Sequence, residues 1–555
     1  MELANLFSSG NTDLEKVKNY MQQVHDYQSN INDGAGPIVG MVDAMKYEKY
    51  LEDKTLPENP TAIDDVIADT AKLFQGVPRW GHPGTMLNVI PPANLLAAAM
   101  ANYADLLNIN FSQDHYAGIS MSSELEVVKY ISDLANWDWR KSAGVFTFGG
   151  KSTNLYGLRC SINRASPNSD KEGLAGNRYF FVTSVKGHPC HHEVAGWLGL
   201  GFNSCIKIPC DDFGRIDLVK TRHEIETRIQ EGMIFLGINL TGGSTVELEI
   251  DDIKGAAELR DIIVQKHGLN YQPMIHVDAV VGWAWLFFKG YDFDDNPLNI
   301  TPNVLSKIKE TYTDISGLEY ADSFGVDFHK TGFTPYISSL FIVKNRDDLY
   351  KLGEKKSIIP FSELEYGNYS PFEYTLELTR SGRGPIAALT ALKSLGMNGY
   401  RELFSKLLEN IDSLRSGFSE KPYITLLNPN SRGLAALFIV KPPEYEHLEL
   451  QQLLSLSFDE TEKIKSYNVD FGYYVEQLCR NQKISFVFTA TDAFAVNNTN
   501  VFLGMQKAYP MSPFASQSFI KEFLDKLDVL KINFDKGEYA HNILQHKPVD
   551  MVYRK

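Results

Sequence analysis

The chain reads as an α/β protein, with a large domain built on a mostly parallel central sheet and a smaller C-terminal α/β domain. Three observations predict this. Short apolar runs at residues 145–148, 179–183, 233–240, 274–281 and 340–343 alternate with helical patterns, as in a parallel sheet covered on both faces. Gly-, Ser- and Thr-rich turns follow several of these runs, so polar groups fall at strand carboxyl ends, where such sheets bind ligands. The 555 residues, 43% hydrophobic and 22% charged, suit a globular chain with more than one folding unit.

Charge and cysteine usage narrow the function. A formal net charge of −15 argues against nucleic-acid or anionic-membrane partners, which select clustered Lys and Arg, and favours small-molecule chemistry. The opening MELANLFSSGNTDLEKVKNY lacks the basic start and apolar core of a signal peptide, and no apolar run reaches membrane-spanning length, so a cytoplasmic protein is expected. Cys160, Cys190, Cys205, Cys210 and Cys479 are too few and too irregular for a disulfide frame or a zinc site, and free thiols are expected.

Taken in order, residues up to 92 are polar, helical in pattern and broken by Pro57, Pro60, Pro78 and Pro83. Residues 1–110 are therefore expected to form an arm lying on a second subunit of a homodimer, residues 111–395 the large domain and residues 396–555 the small one. Within the arm, RWGHPGTMLN offers His82 and Asn88 as candidate substrate contacts. The segment ANLLAAAMANYADLL from Ala93 is apolar on nearly every side, which predicts a helix buried in the core or at a subunit interface. Ser123 and Glu126 have the spacing of a capping box opening the next helix.

After the first apolar run stands GGKSTN, where Gly150, Lys151 and Ser152 could cradle a phosphate on a helix N-terminus; a plain strand-to-helix turn reads the same way. Neither a Walker pattern nor GxGxxG is present. The second run leads into SVKGHPCHH. Metal ligands need convergent geometry and carboxylate or thiolate company that this run does not obviously supply, so its histidines suit metal less well than a stacking role for His188 on a flat cofactor ring, with His191 and His192 at the surface or a helix start. The third leads to TGGST, where Thr245 could bond a ligand or simply build a turn. The fourth carries Asp278 inside an apolar strand, a placement that is costly unless a cation or donors meet it.

The stretch DSFGVDFHKTGFTPY then presents Lys330 beside Asp327 and His329, ahead of a further strand. A lysine desolvated at such an edge becomes a free amine able to condense with an aldehyde. One cofactor joins these features: pyridoxal phosphate has a phosphate for the glycine turn, a ring for His188, a ring nitrogen for Asp278 and an aldehyde for Lys330.

At these residues the chain resembles the group II pyridoxal-phosphate-dependent amino-acid decarboxylases, which have the aspartate-aminotransferase-like fold (fold type I). The resemblance covers about residues 79–402 and rests on SSELE, FGGKSTN, TSVKGH, NLTGGSTVELEIDDI, HVDAVVG, DSFGVDFHK and TRSG. It implies that Lys330 holds the cofactor as a Schiff base, that Asp278 meets the ring nitrogen and that His188 covers the ring face. It further implies cofactor contacts from Gly150, Lys151, Thr245, Asp327 and His329, and places Arg380 at a pocket edge. Lys151, Thr331 and Trp283 depart from the usual pattern, and Trp283 joins His82 and Asn88 as a candidate substrate wall. HKTGFTPYISSL and EYTLELTRSG are most similar to the bacterial and archaeal tyrosine or aspartate decarboxylase branch. The implied activity is decarboxylation of an L-amino acid. The rival readings are a carbon–carbon lyase of the sphingosine-phosphate-lyase type and an inactive scaffold of the same fold. Related decarboxylases use a loop tyrosine as general acid, and Tyr366, Tyr369 and Tyr374 in SIIPFSELEYGNYSPFEY are the candidates, Tyr369 first. Beyond residue 396 a helix at 401–418, strands at 423–427, 434–440 and 484–489 and a helix at 516–534 carry no catalytic constellation.

Overall fold

The computed structural model describes residues 6–8, 13–31, 36–40, 47–211, 213–353, 369–491, 501 and 503–537. In chain order its strands are β1 (Thr85–Met86), β2 (Ala143–Thr147), β3 (Tyr179–Ser184), β4 (Cys205–Ile208), β5 (Ile234–Thr241), β6 (Met274–Asp278), β7 (Ser323–Asp327), β8 (Ser339–Val343), β9 (Ile424–Leu426), β10 (Ala436–Val440), β11 (Val487–Thr491) and β12 (Met505–Ala508). The chain divides into two compact units, one of residues 91–408 with 431–433 and the other of residues 1–90, 409–430 and 434–555.

The larger unit holds a seven-stranded sheet in the order β2-β8-β7-β6-β5-β3-β4. All pairings are parallel except those of β8, which runs against both β2 and β7. Every residue of β3, β6, β7 and β8 is buried, which is why these segments lack the alternation of a half-exposed strand. β7 and β4 were not among the expected strands. In β7 the sequence SFGVD is polar at Ser323 and Asp327, so an apolar-run criterion passes over it, yet both residues are buried.

The helix Gly150–Ala165 crosses this sheet at close range: a Cβ at Gly325 of β7 would stand 2.2 Å from Thr153 Oγ1, and one at Gly157 would stand 2.5 Å from His276 Nδ1. The helix Ser122–Leu134 opens without the expected capping box. The chain enters it from the 3-10 turn Gly118–Met121, so Ser123 is already helical and its hydroxyl donates to Ser120 O at 2.7 Å, while Glu126 pairs with Lys393. On the helix Leu95–Leu106 only Ala97, Ala101 and Ala104 are buried, and Leu95 is 87% exposed, so the all-round apolar pattern is not enclosed within one chain.

The smaller unit has a five-stranded sheet ordered β1-β11-β12-β10-β9, in which β1 pairs in parallel with β11 and the remaining pairs are antiparallel. The first ninety residues are thus grouped with the C-terminal sheet, and the stretch carrying His82 and Asn88 supplies its β1 edge. The helix Arg383–Ser419 runs through the expected boundary near residue 396, where Gly396 takes φ 58° and breaks the helical backbone.

A buried ion pair in the larger unit ties three segments together. Arg380 meets Glu124 through Nη1–Oε2 at 2.6 Å and Nη2–Oε1 at 3.0 Å, with side chains 5% and 0% exposed. Glu124 also accepts the Phe146 N–H at 2.8 Å, and Arg380 donates to Phe111 O at 2.8 Å. Removing one member strands the other's charge, so Glu124→Ala should cost about 3–5 kcal/mol. Urea unfolding followed by far-ultraviolet circular dichroism checks this, and a loss under about 1 kcal/mol, the range of an exposed pair, would contradict it.

Candidate active site

Lys330 sits in the single helical turn Phe328–Thr331 that leaves the carboxyl end of β7. Behind the turn, Phe328 packs on Trp283 with ring centres 4.8 Å apart, and Tyr400 donates to Gly332 O at 3.0 Å, which fixes the backbone under the lysine. The Lys330 ammonium lies 2.9 Å from Asp327 Oδ2 on a side chain 22% exposed. Asp327 is buried, its Oδ1 accepting the Ser339 hydroxyl at 2.5 Å. The free amine expected from desolvation is corrected here: burial does favour the neutral form, but Asp327 and then Asp278 outweigh it and hold the Lys330 pKa above the ordinary lysine value.

Asp278 ends β6, the neighbour of β7, and stands in register with Thr241 of β5. Its Oδ2 accepts the Asn154 amide at 2.9 Å, while its Oδ1 is buried with no hydrogen-bond partner among the described residues. Burial works to raise its pKa, yet His191, His188, Asn154 and Lys330 together hold it below the ordinary carboxylate value. His191 is not at the surface. It begins the helix Cys190–Trp197 with 1% of its area exposed, and its Nε2 lies 3.9 Å from Asp278 Oδ2. His188 is exposed in the loop after β3, its ring steered by the Cys190 N–H donating to Nδ1 at 3.1 Å.

The other sequence candidates fall into place around these groups or apart from them. Gly149 caps the helix Gly150–Ala165 at φ 127°, a backbone that suits glycine, and a Cβ on Gly150 would stand 2.6 Å from Asp327 Oδ2. Ser152 is buried and donates to Gly149 O at 2.5 Å; Lys151 points to solvent and pairs with Glu193. Thr245 is half-buried in the turn after β5, which is drawn to the end of β6 by the Gly242 N–H donating to Asp278 O at 2.9 Å. His329 is buried, with Nδ1 3.1 Å from Ser338 O and its ring 4.2 Å from that of Tyr336.

Three expectations need correction. Arg380 does not line a pocket edge, because its guanidinium is spent on Glu124 and two backbone carbonyls. Trp283 is fully buried behind the Lys330 turn and serves as core rather than as a substrate wall. Tyr369 is not free at a loop tip: its hydroxyl donates to Glu124 Oε1 at 3.1 Å and its N–H to Asp114 Oδ2 at 3.0 Å. Burial and Glu124 push its phenol pKa well up, and burial does the same for Tyr374, whose ring packs 4.8 Å from Tyr350. Tyr366 lies outside the described residues. His82 and Asn88 belong to the smaller unit, where His82 Nδ1 accepts the Gly84 N–H at 3.0 Å and Asn88 accepts the Val89 N–H at 2.9 Å. Sequence reasoning missed Asn154, His191 and Glu124, although each lies within or beside a quoted motif: an amide in GGKSTN, a histidine in HPCHH and an acid in SSELE.

A partnerless buried oxygen on an ionised aspartate calls for a donor, and the ring N–H of pyridoxal phosphate is one; the lysine on the adjacent strand fits the aldehyde, and the glycine helix start fits the phosphate. Fold and site define a fold type I pyridoxal-phosphate enzyme.

Known proteins give the same class. Residues 46–295 match the pyridoxal-dependent decarboxylase conserved domain. Over 378 residues the chain is 22% identical to an L-2,4-diaminobutyrate decarboxylase of Rhizobium meliloti (strain 1021), covering 68% of this chain and 69% of that protein. It is 25% identical over 288 residues to a glutamate decarboxylase of Drosophila melanogaster, covering 51% of this chain and 50% of the relative. The crystal structure of mouse CSAD in apo form superposes with a TM-score of 0.76 at 18% identity, over 93% of this chain and 99% of that one. The chain is similar to the pyridoxal-dependent decarboxylases over the matched conserved domain, and pyridoxal-phosphate-dependent decarboxylation of an amino acid is the reaction these similarities support.

Two buried histidines make the fold acid-sensitive. Burial lowers His191 to about 4 and His276 to about 3, so both are neutral in the fold. The unfolded chain protonates them near 6.5, so their contribution is intact above that value and is lost as pH falls below it. At pH 5 each accounts for ~2 kcal/mol of lost stability. Denaturant titrations from pH 7 to pH 5 should show the decline, and His191→Gln should make it shallower; an unchanged slope would contradict neutral burial.

Proposed function

We propose that the chain removes the α-carboxylate of an L-amino acid as carbon dioxide, with Lys330 as the lysine that binds the cofactor aldehyde and Asp278 as the partner of its ring nitrogen. The observation that carries this is the unpaired buried Oδ1 of Asp278 on the strand beside the Lys330–Asp327 pair. When bound, pyridoxal phosphate supplies the electron sink for the pair left by the departing carboxylate. Asp278 keeps a proton on the ring nitrogen because its own carboxyl is held ionised. His188, with Nδ1 turned to the Cys190 N–H, is the residue that would cover the ring face. The backbone at Gly150 and Lys151 and the hydroxyl of Thr245 bind the phosphate end, and Lys151 contributes through the main chain because its side chain is paired with Glu193. Lys330 Nζ, kept protonated by Asp327, is the described group that can return a proton to the substrate carbon.

The named relatives act on diaminobutyrate and glutamate, so the informative screen sets L-2,4-diaminobutyrate, L-glutamate, L-aspartate and L-tyrosine side by side. Carbon dioxide should be released from at least one, with the matching amine in equal amount. An aldehyde from Cα–Cβ cleavage in place of carbon dioxide would favour the lyase reading.

The protein acts as a cytoplasmic homodimer in this account. Leu95, Leu96, Met100, Tyr103 and Leu107 stand exposed along one helix, with Ile119 nearby in sequence at 89% exposed, an apolar face that a second copy would cover. The five cysteines are unpaired, as in a reducing compartment, and among the described residues no helix is long and apolar enough to cross a membrane. Light scattering at micromolar concentration should give twice the chain mass of 62.5 kDa; a monomer would contradict the dimer.

A further inference from the structure

Behind Asp278 runs a chain of buried neutral groups that the reaction as described does not use. Asn154 Nδ2 donates to Asp278 Oδ2 at 2.9 Å, Asn154 Oδ1 lies 2.9 Å from His276 Nε2, and His276 Nδ1 lies 2.8 Å from Ser323 Oγ. The direction of every proton follows from the end of the chain. An ionised carboxylate only accepts, so the Asn154 amide must present N–H to it and its carbonyl oxygen to His276. His276 then carries its proton on Nε2, and the bare Nδ1 accepts from the Ser323 hydroxyl. All three donors point toward Asp278.

The packing leaves this arrangement little freedom. His276, Ser323 and Asn154 are 0%, 0% and 1% exposed. The helix bearing Asn154 passes so close to the imidazole that a Cβ at Gly157 would stand 2.5 Å from His276 Nδ1. The second N–H of Asn154 is taken by Cys190 Sγ at 3.2 Å, which keeps the amide plane from turning over. The three polar residues come from one helix and two adjacent strands, β6 and β7, which also carry Asp278 and Asp327.

We infer that Asn154, His276 and Ser323 are positioning residues, a one-way donor relay that orients the Asp278 carboxylate and keeps it ionised toward the cofactor ring nitrogen. The inference rests on the pyridoxal-phosphate reading of the site. The charged or titratable groups facing Asp278 are His188, His191, His276, Cys190 and Lys330. Of these, His276 reaches it through a line of hydrogen bonds in which every donor faces Asp278, whereas Cys190 only accepts from Asn154, and the relay supplies orientation without adding a charge.

The sharpest variant is Asn154→Asp, which keeps shape and volume but sets an acceptor where the donor was, 2.9 Å from Asp278 Oδ2. One of the two carboxyls must then keep a proton. The holoenzyme is prepared with pyridoxal phosphate, freed of excess cofactor, and followed in two ways: the half-time of cofactor loss and the pH dependence of the bound cofactor's visible absorption. Asn154→Asp should shorten the half-time by about tenfold or more and move the absorption transition by about one pH unit, the two being the same change in ring-nitrogen affinity. His276→Leu should act in the same direction. His276→Gln, which keeps a donor facing Asn154 Oδ1, should recover most of the loss, and Ser323→Ala should have the smallest effect. A merely structural role would lower the unfolding midpoint without moving the absorption profile. Asn154→Asp holoenzyme with wild-type retention and a wild-type profile would overturn the relay. If Asn154→Asp fails to fold, Ser323→Ala with the same two readouts decides: a profile displaced in the same direction supports the relay, and an unmoved one overturns it. Wild-type protein that takes up no cofactor would instead overturn the pyridoxal-phosphate reading.

Discussion

An ionised carboxylate buried at the end of a central strand is the constraint to which the rest of the larger unit answers. Burying such a charge without donors costs several kcal/mol, and a strand at the middle of a sheet has no water to offer. The fold resolves this by bringing Asn154 across on a helix, setting His191 in the first turn of another, and leaving Oδ1 of Asp278 for a donor that no described residue supplies. The unpaired oxygen is the feature on which the proposed cofactor contact rests. Close backbone approaches follow from it: a Cβ at Gly282 would stand 2.1 Å from Gly242 O, so the turn carrying Thr245 can lie against the end of β6 only because both positions are glycine.

The adjacent strand carries a second carboxylate with the opposite solution. Asp327 is as buried as Asp278, but its charge is met by the Lys330 ammonium and the Ser339 hydroxyl. The pair holds the lysine in its charged form, and Asp327 would be placed to face a positive nitrogen at this position when the cofactor is held. In the proposed reading the two aspartates would divide the work: Asp278 would meet the nitrogen of the ring, and Asp327 already meets the nitrogen of Lys330. The Glu124–Arg380 pair is separate from both, and its place is to lock the segment around Tyr369 and the helix Ser122–Leu134 onto β2.

The parts of this protein that were readable from residues alone are those in which chemistry and local pattern coincide. Asp278 in an apolar run, Lys330 beside two titratable neighbours and the glycine turn before a helix each break a local rule, and such breaks mark function. β7 was not readable, because burial of Ser323 and Asp327 is paid for by partners distant in sequence, His276 and Ser339 among them. The same reason hid Asn154 and His191: an amide on a helix and a histidine after a proline look ordinary until the strands bring Asp278 beside them. Arg380, Trp283 and Tyr369 were misread in the other direction. Each is a residue type common in binding sites, and only their buried partners Glu124 and Phe328 show them to be framework. The division into units was also illegible, since β1 joins the C-terminal sheet through a pairing across four hundred residues, Thr85 with Val487.

The central claim, that Lys330 is the lysine joined to pyridoxal phosphate, is tested most directly by trapping. Holoenzyme reduced with borohydride, digested and sequenced by mass spectrometry should carry the phosphopyridoxyl mass on the peptide containing Phe328-His329-Lys330-Thr331 and nowhere else. A label on Lys151, Lys186 or any other lysine, or no label on protein that has bound the cofactor, would contradict it.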